Sequence, residues 1–335
     1  MDDTFHIQWH ITDECNFRCR HCYQDDFSVT RTPGPDRLRR DFENITEFLA
    51  ARNLRLVVDV TGGEPFLHDN LAELLRMLDA SPTVQEIGII TNGFFLAGPP
   101  GRILRDFPET HVRISSEGVE APVYERYRGR NRYPGFLEAL KFLSANGRET
   151  TLMFTLLEDN ADQIPKLLPF AREQGIGHVV VERFMPWGRG GKSGARTVTA
   201  ETWKETVRTL LRISGNGNDL SSVLPYRAFK MDITATDCEL SGAPCIVGKD
   251  GCAVMPDGTI FPCRRFPLAI GNLRDRTMEH IWKHSAVLKR VTQRAFLKGR
   301  CGTCGIPDCL GCRAMAYATT GDFLAEDPLC FLEKV

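Results

Sequence analysis

The sequence predicts an α/β protein: a partial (β/α)6 barrel of the TIM type over residues 1–212, a linker at 213–222 and a small cysteine-rich domain over 223–335. Three observations predict it. Six short β-like runs alternate with amphipathic helical stretches, and residues 213–222 are rich in glycine, asparagine and serine, as linkers are. Nine of the 12 cysteines follow residue 237 in turn-rich sequence, which suits a unit held by metal more than by a hydrophobic core.

Phe5, Ile7, Trp9 and Ile11 alternate with His6, Gln8 and His10, the period-two pattern of a strand. Pro35 opens a helix with Leu38, Phe42, Ile45 and Leu49 on one face, and Leu56 to Val60 is a β-branched run. Leu71, Leu74, Leu75 and Leu78 mark the next helix, before a strand at Ile87, Ile89 and Ile90. His111 to Ser115 makes the fourth strand. A helix around Phe136, Leu140 and Leu143 precedes Leu152 to Leu157, and one with Ile164, Leu167, Leu168 and Ala171 precedes His178 to Val181. Thr199 is placed to cap a helix bearing Trp203, Val207 and Leu210. Strands separated by helices pair in parallel through right-handed crossovers. Six are too few to close an eight-stranded barrel, so a laterally open mouth is expected.

A hydrophobic content of 42% is enough for a sizeable core. The 42 Lys and Arg nearly cancel the 43 Asp and Glu, so net charge gives no argument for nucleic acid or an anionic membrane. The start, Met1-Asp2-Asp3, lacks a basic and apolar signal segment, and no apolar run approaches membrane-spanning length. A cytoplasmic protein is expected, its cysteines serving metal or redox work and not disulfides.

Cys15, Cys19 and Cys22 supply three thiols within eight residues, and the next cysteine is Cys238. Three thiolates can hold three corners of a cubane iron–sulfur cluster and leave one iron for an outside ligand. A zinc site that recruits His21 is the alternative. At the end of the second strand, Gly62-Gly63 lets a ligand approach the backbone and Glu64 can accept from an ammonium group, although such a pair is also an ordinary turn. Thr91-Asn92-Gly93 and Ser115-Ser116-Glu117-Gly118 end the third and fourth strands, at the face where barrel ligands bind. Four arginines crowd Glu125 to Arg132, a solvated basic loop for Arg126, Arg130 and Arg132. Further on, Met255 to Pro262 reads as a hairpin turning at Asp257-Gly258. On spacing alone, Cys301, Cys304, Cys309 and Cys312 suit a zinc knuckle.

The triplet with three and then two intervening residues, followed one βα unit later by Thr61-Gly62-Gly63-Glu64-Pro65, resembles the radical S-adenosylmethionine (radical SAM) family, with His21 where an aromatic is usual. That resemblance implies a four-iron cluster on Cys15, Cys19 and Cys22 whose open iron chelates SAM. It implies that Gly62, Gly63, Glu64 and Pro65 hold the methionine amino group, that Thr91, Asn92, Ser115 and Ser116 are further cofactor contacts, and that Arg128 pairs with the SAM carboxylate. Val181 to Arg189 looks like the family's ribose- and substrate-facing end. The implied activity is one-electron cleavage of SAM to methionine and a 5′-deoxyadenosyl radical, with flavodoxin or ferredoxin as electron donor.

Cys245, Cys252 and Cys263 around the hairpin, with Gly311-Cys312-Arg313 leading through Gly321-Asp322 and Asp327-Pro328 to Cys330, resemble the SPASM extension of such enzymes. This implies two auxiliary four-iron clusters, one on Cys245, Cys252, Cys263 and Cys312 and one on Cys301, Cys304, Cys309 and Cys330, making three clusters in all. Cys238 remains, a free thiol in a loop, with a role as substituted ligand or catalytic thiol as the alternative.

The leading functional reading is modification of a ribosomal peptide or protein side chain, by a crosslink or other C–H functionalisation. A triplet at residue 15 leaves no room ahead of it for the peptide-recognition domain that many such enzymes carry, which weighs against it. The alternative is modification of a tetrapyrrole precursor of heme type, because such enzymes share this length and a similar C-terminal tail. A non-catalytic zinc or iron–sulfur scaffold is the reading from another class. In sulfatase-maturing relatives an aspartate follows the counterpart of Cys263, whereas here Arg264-Arg265 follow and cannot act as a base. Oxidation of a serine or cysteine to an aldehyde by that route is not expected. An anionic peptide or small-molecule substrate is favoured, unless both arginines pair with the protein's own acids.

Overall fold

The computed structural model describes residues 3–215, 217, 219, 220, 223 and 226–332. Residues 216, 218, 221 and 222 of the expected linker lie outside the described residues.

Six parallel strands lie side by side in chain order: β1 (Thr4–His10), β2 (Arg55–Thr61), β3 (Val84–Thr91), β4 (His111–Ser116), β5 (Thr150–Leu156) and β6 (His178–Arg183). Helices α1 (Pro35–Ala50), α2 (Leu71–Asp79), α4 (Tyr133–Ala145) and α5 (Ile164–Glu173) occupy the crossovers, and α6 (Ala200–Ile213) follows β6 with the Thr199 hydroxyl accepting from the Thr202 amide. Phe5, Ile7 and Trp9 of β1 and Val58 and Val60 of β2 are buried with the apolar stripes of the helices. An α3 (Ala121–Arg128) precedes α4 inside the stretch expected as a basic loop. The correction has a simple cause: Val123, Tyr124 and Tyr127 bury one face of that stretch while Arg126 stays outside.

The polar residues of β1 do not face solvent. Gln8 points into the lumen with Ser115, Met153, Thr155 and Glu182 from β4, β5 and β6. At the amino ends of the strands a charged network fills the floor. Arg113 Nε bonds Asp59 Oδ1 at 2.5 Å and its Nη2 bonds Glu86 Oε1 at 2.7 Å, with His111 Nδ1 3.3 Å from the same Glu86 oxygen.

Beyond the six strands the sheet continues at both edges. β7 (Ala228–Asp232) pairs antiparallel with β6 and β8 (Glu239–Ala243) with β7, whereas β9 (Gly251–Val254) pairs parallel with β1 and is followed by β10 (Thr259–Phe261) and β11 (Gly271–Asn272). The result is one sheet of 11 strands among the described residues. The Pro244 to Asp250 segment therefore crosses the open side of the barrel from β8 to β9, a span of about 24 Å at most for seven extended residues. From α7 (Met278–His284), Trp282 packs edge-on against Phe5 and Phe48, which fixes the C-terminal part to the barrel's outer wall. Among the described residues no helix is long and apolar enough to cross a membrane.

The floor network gives a stability expectation. His111, with Arg113 acting against burial, holds the Glu86 carboxyl down to about 2 from its ordinary 4.5, so Glu86 contributes stability above 4.5 that is lost as pH falls through about 2. His111 is raised by the same carboxylate and contributes below its ordinary 6.5, a share lost as pH rises through its folded value. Glu86→Gln is expected to lower the thermal midpoint most near about pH 5.5, less at pH 8 where only Arg113 still needs the carboxylate, and hardly at all near pH 2. With the pair one-third exposed, the maximum cost is about 1 kcal/mol.

Candidate active site

The cysteine loop leaves the carboxyl end of β1 and is pinned to the loop after β2 by backbone bonds. The Gly63 amide donates to the Thr12 carbonyl at 2.8 Å, and the Glu64 amide to the Glu14 carbonyl at 2.8 Å. A Cβ on Gly62 would lie 2.4 Å from the Thr12 oxygen and one on Gly63 2.1 Å from the Glu14 oxygen. The glycine pair is thus demanded by the approach of two backbones, one of which carries the cysteines.

Cys15, Cys19 and Cys22 line a cavity of about 1160 Å3, counting its open mouth. Gly62, Gly63, Thr91, Asn92, Ser115 and Arg128 line it too. Three expected contacts are placed differently. Glu64 is fully buried outside the lining, its carboxylate accepting from Thr91 Oγ1 at 2.8 Å, the Asn92 amide at 2.9 Å and the Phe66 amide at 3.4 Å. It staples the β2 and β3 loops together, and burial lifts its carboxyl to about 7 despite those donors. Pro65 opens the short 3-10 turn Pro65–Leu67 beside it. Ser116 is buried, with its hydroxyl donating to the Gly118 carbonyl at 2.7 Å.

Arg128 is 6% exposed and its fork is taken: Nε and Nη2 bond the two oxygens of Glu117 at 2.6 and 2.7 Å. Both N–H groups of Nη1 and the second N–H of Nη2 remain for a carboxylate. The same Glu117 meets His21 Nε2 at 2.9 Å. Burial pushes the Glu117 carboxyl up, but Arg128 and His21 outweigh it and hold it down to about 2.

A second cavity, of about 1050 Å3, is lined by Cys245, Cys263 and Cys312 and shares Gln8, Arg183, Met185, Arg264 and Arg265 with the first. Cys301 within α8 (Arg300–Thr303), Cys304 at its C-cap, Cys309 ahead of α9 (Arg313–Thr320) and Cys330 after it all lie outside both cavities.

Most of these sulfurs receive N–H donors, as cluster thiolates do. The amide two residues on donates to Sγ of Cys15 and Cys22 at 3.4 Å each, and the corresponding amides serve Cys245, Cys263 and Cys330. The Met315 amide meets Cys312 at 3.4 Å, the Asp327 amide meets Cys301 at 3.4 Å, and Arg227 Nη2 meets Cys309 at 2.9 Å. Burial lifts the Cys15 thiol to about 11 and the Cys19 and Cys263 thiols to about 12, so each is neutral until a cation draws off its proton. This donor set fits iron–sulfur clusters. It does not fit one metal ion, because no three His, Cys, Asp or Glu among the described residues converge on a single point, and His21 is turned to Glu117.

Cys252 is a correction. It lies within β9, directly paired with the core residue Ile7, is fully buried among apolar side chains and is raised by burial alone. The ladder occupies its strand neighbours, no N–H among the described residues reaches its sulfur, and it does not line the cavity of Cys245, Cys263 and Cys312.

The family model described as the radical SAM superfamily matches residues 9–171, and the one described as an iron-sulfur cluster-binding domain, SPASM, matches residues 245–310. The chain is a radical SAM enzyme with a SPASM domain. It is similar to the AdoMet-dependent heme synthase of Methanosarcina barkeri, 24% identical over 97% of this chain and 95% of that protein. It is also similar to the PqqA peptide cyclase of Gluconobacter oxydans, 26% identical over 83% of this chain and 77% of that protein. Its fold matches that of Streptococcus suis SuiB bound to precursor peptide SuiA, with a TM-score of 0.74 at 16% identity over 98% of this chain and 76% of that one. These models bring iron–sulfur clusters and SAM to the enzyme as its cofactors.

Sequence reasoning missed the His21–Glu117–Arg128 group and the lumen residues Gln8 and Glu182. The signal for Gln8 and Glu182 is a polar residue at an inward strand position; His21, Glu117 and Arg128 meet only in the folded chain.

The backbone crossing gives an expectation for cluster assembly. Gly63→Ala drives a Cβ into the Glu14 carbonyl, so anaerobically reconstituted protein should carry about four irons fewer per chain and lose SAM cleavage, while the iron owed to the C-terminal cysteines stays. Iron and labile sulfide analysis reads it.

Proposed function

We propose that the enzyme removes a hydrogen atom from a carbon of a ribosomal peptide or protein side chain, leading to a crosslink or other C–H functionalisation. The observation that carries this reading is the cavity beside Cys15, Cys19 and Cys22 running into the one beside Cys245, Cys263 and Cys312 through common lining residues. A substrate there lies between two sets of thiols. Bound to a cluster on the first set, SAM supplies a 5′-deoxyadenosyl radical by one-electron cleavage, the electron coming from a flavodoxin or ferredoxin. Gly62 and Gly63 present backbone, and Thr91, Asn92 and Ser115 present polar edges, to the cofactor. Met153, Phe184 and Met185 keep water from the lumen.

Three four-iron clusters complete the proposal: one on Cys15, Cys19 and Cys22, one on Cys245, Cys263 and Cys312 without Cys252, and one on Cys301, Cys304, Cys309 and Cys330. A tetrapyrrole substrate is the second reading, favoured by one observation: the chain spans 95% of the heme synthase but 77% of the peptide cyclase.

Reconstituted enzyme with dithionite should cleave SAM to 5′-deoxyadenosine and carry about twelve irons per chain. A Cys19→Ala variant is expected to cleave none, and Cys252→Ala to keep all its iron; full cleavage by the first, or loss of about four irons by the second, contradicts the assignment. Deuterium should pass into 5′-deoxyadenosine from carbon-deuterated peptides encoded beside the gene. Transfer only from a deuterated porphyrin selects the second reading.

A further inference from the structure

Between the two cavities sits a buried cation that nothing in the protein answers. Arg264 is 7% exposed and lines both cavities. Its guanidinium lies 3.9 Å from the centroid of the Tyr23 ring, and its Nε has no hydrogen-bond partner. Among the described residues it makes no ion pair. Every other deeply buried arginine is answered: Arg128 by Glu117 at 2.6 Å, Arg183 by Asp327 at 3.8 Å and Arg313 by the Phe323 carbonyl at 3.1 Å. Its neighbour Arg265 meets Glu182 at 3.2 Å, and Asp13, whose charge reaches Arg264, is held by Arg31 at 2.7 Å. A tyrosine face offsets part of the cost of burying a charge, but it leaves the planar fork of N–H donors unmet.

The side chain is also preorganised. Arg264 and Arg265 are the central residues of a tight turn in which the Phe266 amide donates to the Cys263 carbonyl at 2.9 Å. Phe266 is fully buried against Tyr317 and Phe323, so the turn cannot swing out to let the guanidinium find water.

We infer that Arg264 is the specificity residue that receives a carboxylate of the substrate, an assignment that rests on the reading above that the substrate occupies the shared cavity. A carboxylate matches the guanidinium fork in shape and charge. Both candidate substrate classes can bring one, as an acidic side chain of a peptide or as a propionate of a tetrapyrrole.

The test is anaerobic calorimetry of the reconstituted enzyme with two acid probes and their neutral counterparts. One pair is deuteroporphyrin IX and its dimethyl ester; the other is an acetylated, amidated (Gly-Glu)4 peptide and its glutamine analogue. One acid should bind and its counterpart should not, and the acid that binds names the source of the carboxylate. In Arg264→Gln its dissociation constant should rise roughly thirtyfold or more, while Arg264→Lys, which keeps the charge but loses the fork, should fall between. Three results overturn the inference: neither acid binds, acid and counterpart bind alike, or Arg264→Gln weakens SAM binding and leaves the acid untouched. Failure of the functional reading looks different, since an enzyme that binds an acid through Arg264 but cleaves no SAM refutes that reading and keeps this one.

Discussion

The structure depends on a crossing of two backbones. Where Gly62-Gly63 leaves β2, it passes so close to Thr12 and Glu14 that no side chain fits between them. The amides of Gly63 and Glu64 bond across the gap. A loop as long as the one between β1 and α1 would sample many conformations, and ordering it costs about 1 to 2 kcal/mol per residue. The crossing fixes that loop at its root, and further bonds continue the work: the Arg20 amide donates to the Tyr127 carbonyl, and the Gly190 amide to the Cys22 carbonyl. Three cysteines are thereby held at one wall of a cavity before any metal arrives. Glu64 serves the same end from inside, tying the β2 loop to the β3 loop that carries Asn92.

At the floor and the mouth of the barrel, charge is handled by one rule, from which, among the described residues, only Arg264 departs. An ion inside a protein needs a partner within hydrogen-bond reach. At the floor, Arg113 satisfies it with Asp59 and Glu86. At the mouth, Glu117 gathers Arg128 and His21. This group explains why a histidine stands where the family usually has an aromatic: the ring still meets Tyr127 edge-on at 5.7 Å, and its Nε2 gains a carboxylate.

Period-two and period-3.6 patterns made the six strands and their helices legible, because each element buries one apolar face. The cysteine spacing and the glycine pair were legible because they are local. What could not be read depends on which residues meet across the fold. Glu64 and Ser116 look like ligand contacts in a string, yet their partners are the next loop and their own turn. Arg128 looks free until Glu117 is folded onto it. Cys252 is one more cysteine in a cysteine-rich tail until β9 pairs with β1 and turns it toward Ile7. The tail itself reads as a separate unit by composition, but its strands belong to the barrel's sheet.

That shared sheet limits how a substrate can reach the cavity. A C-terminal domain joined only by a linker could swing away, but here β9 is bonded to β1 and β7 to β6, so opening would break a ladder at each edge. The Pro244 to Asp250 segment, with Cys245 on it, closes the open side of the barrel between those two edges. At the carboxyl ends of the strands Arg132 stacks 4.6 Å from the buried Phe17 ring and 5.2 Å from the exposed Phe94 ring, so the Cys15 loop is tied to the β3 loop there, as the C-terminal strands are tied to the sheet.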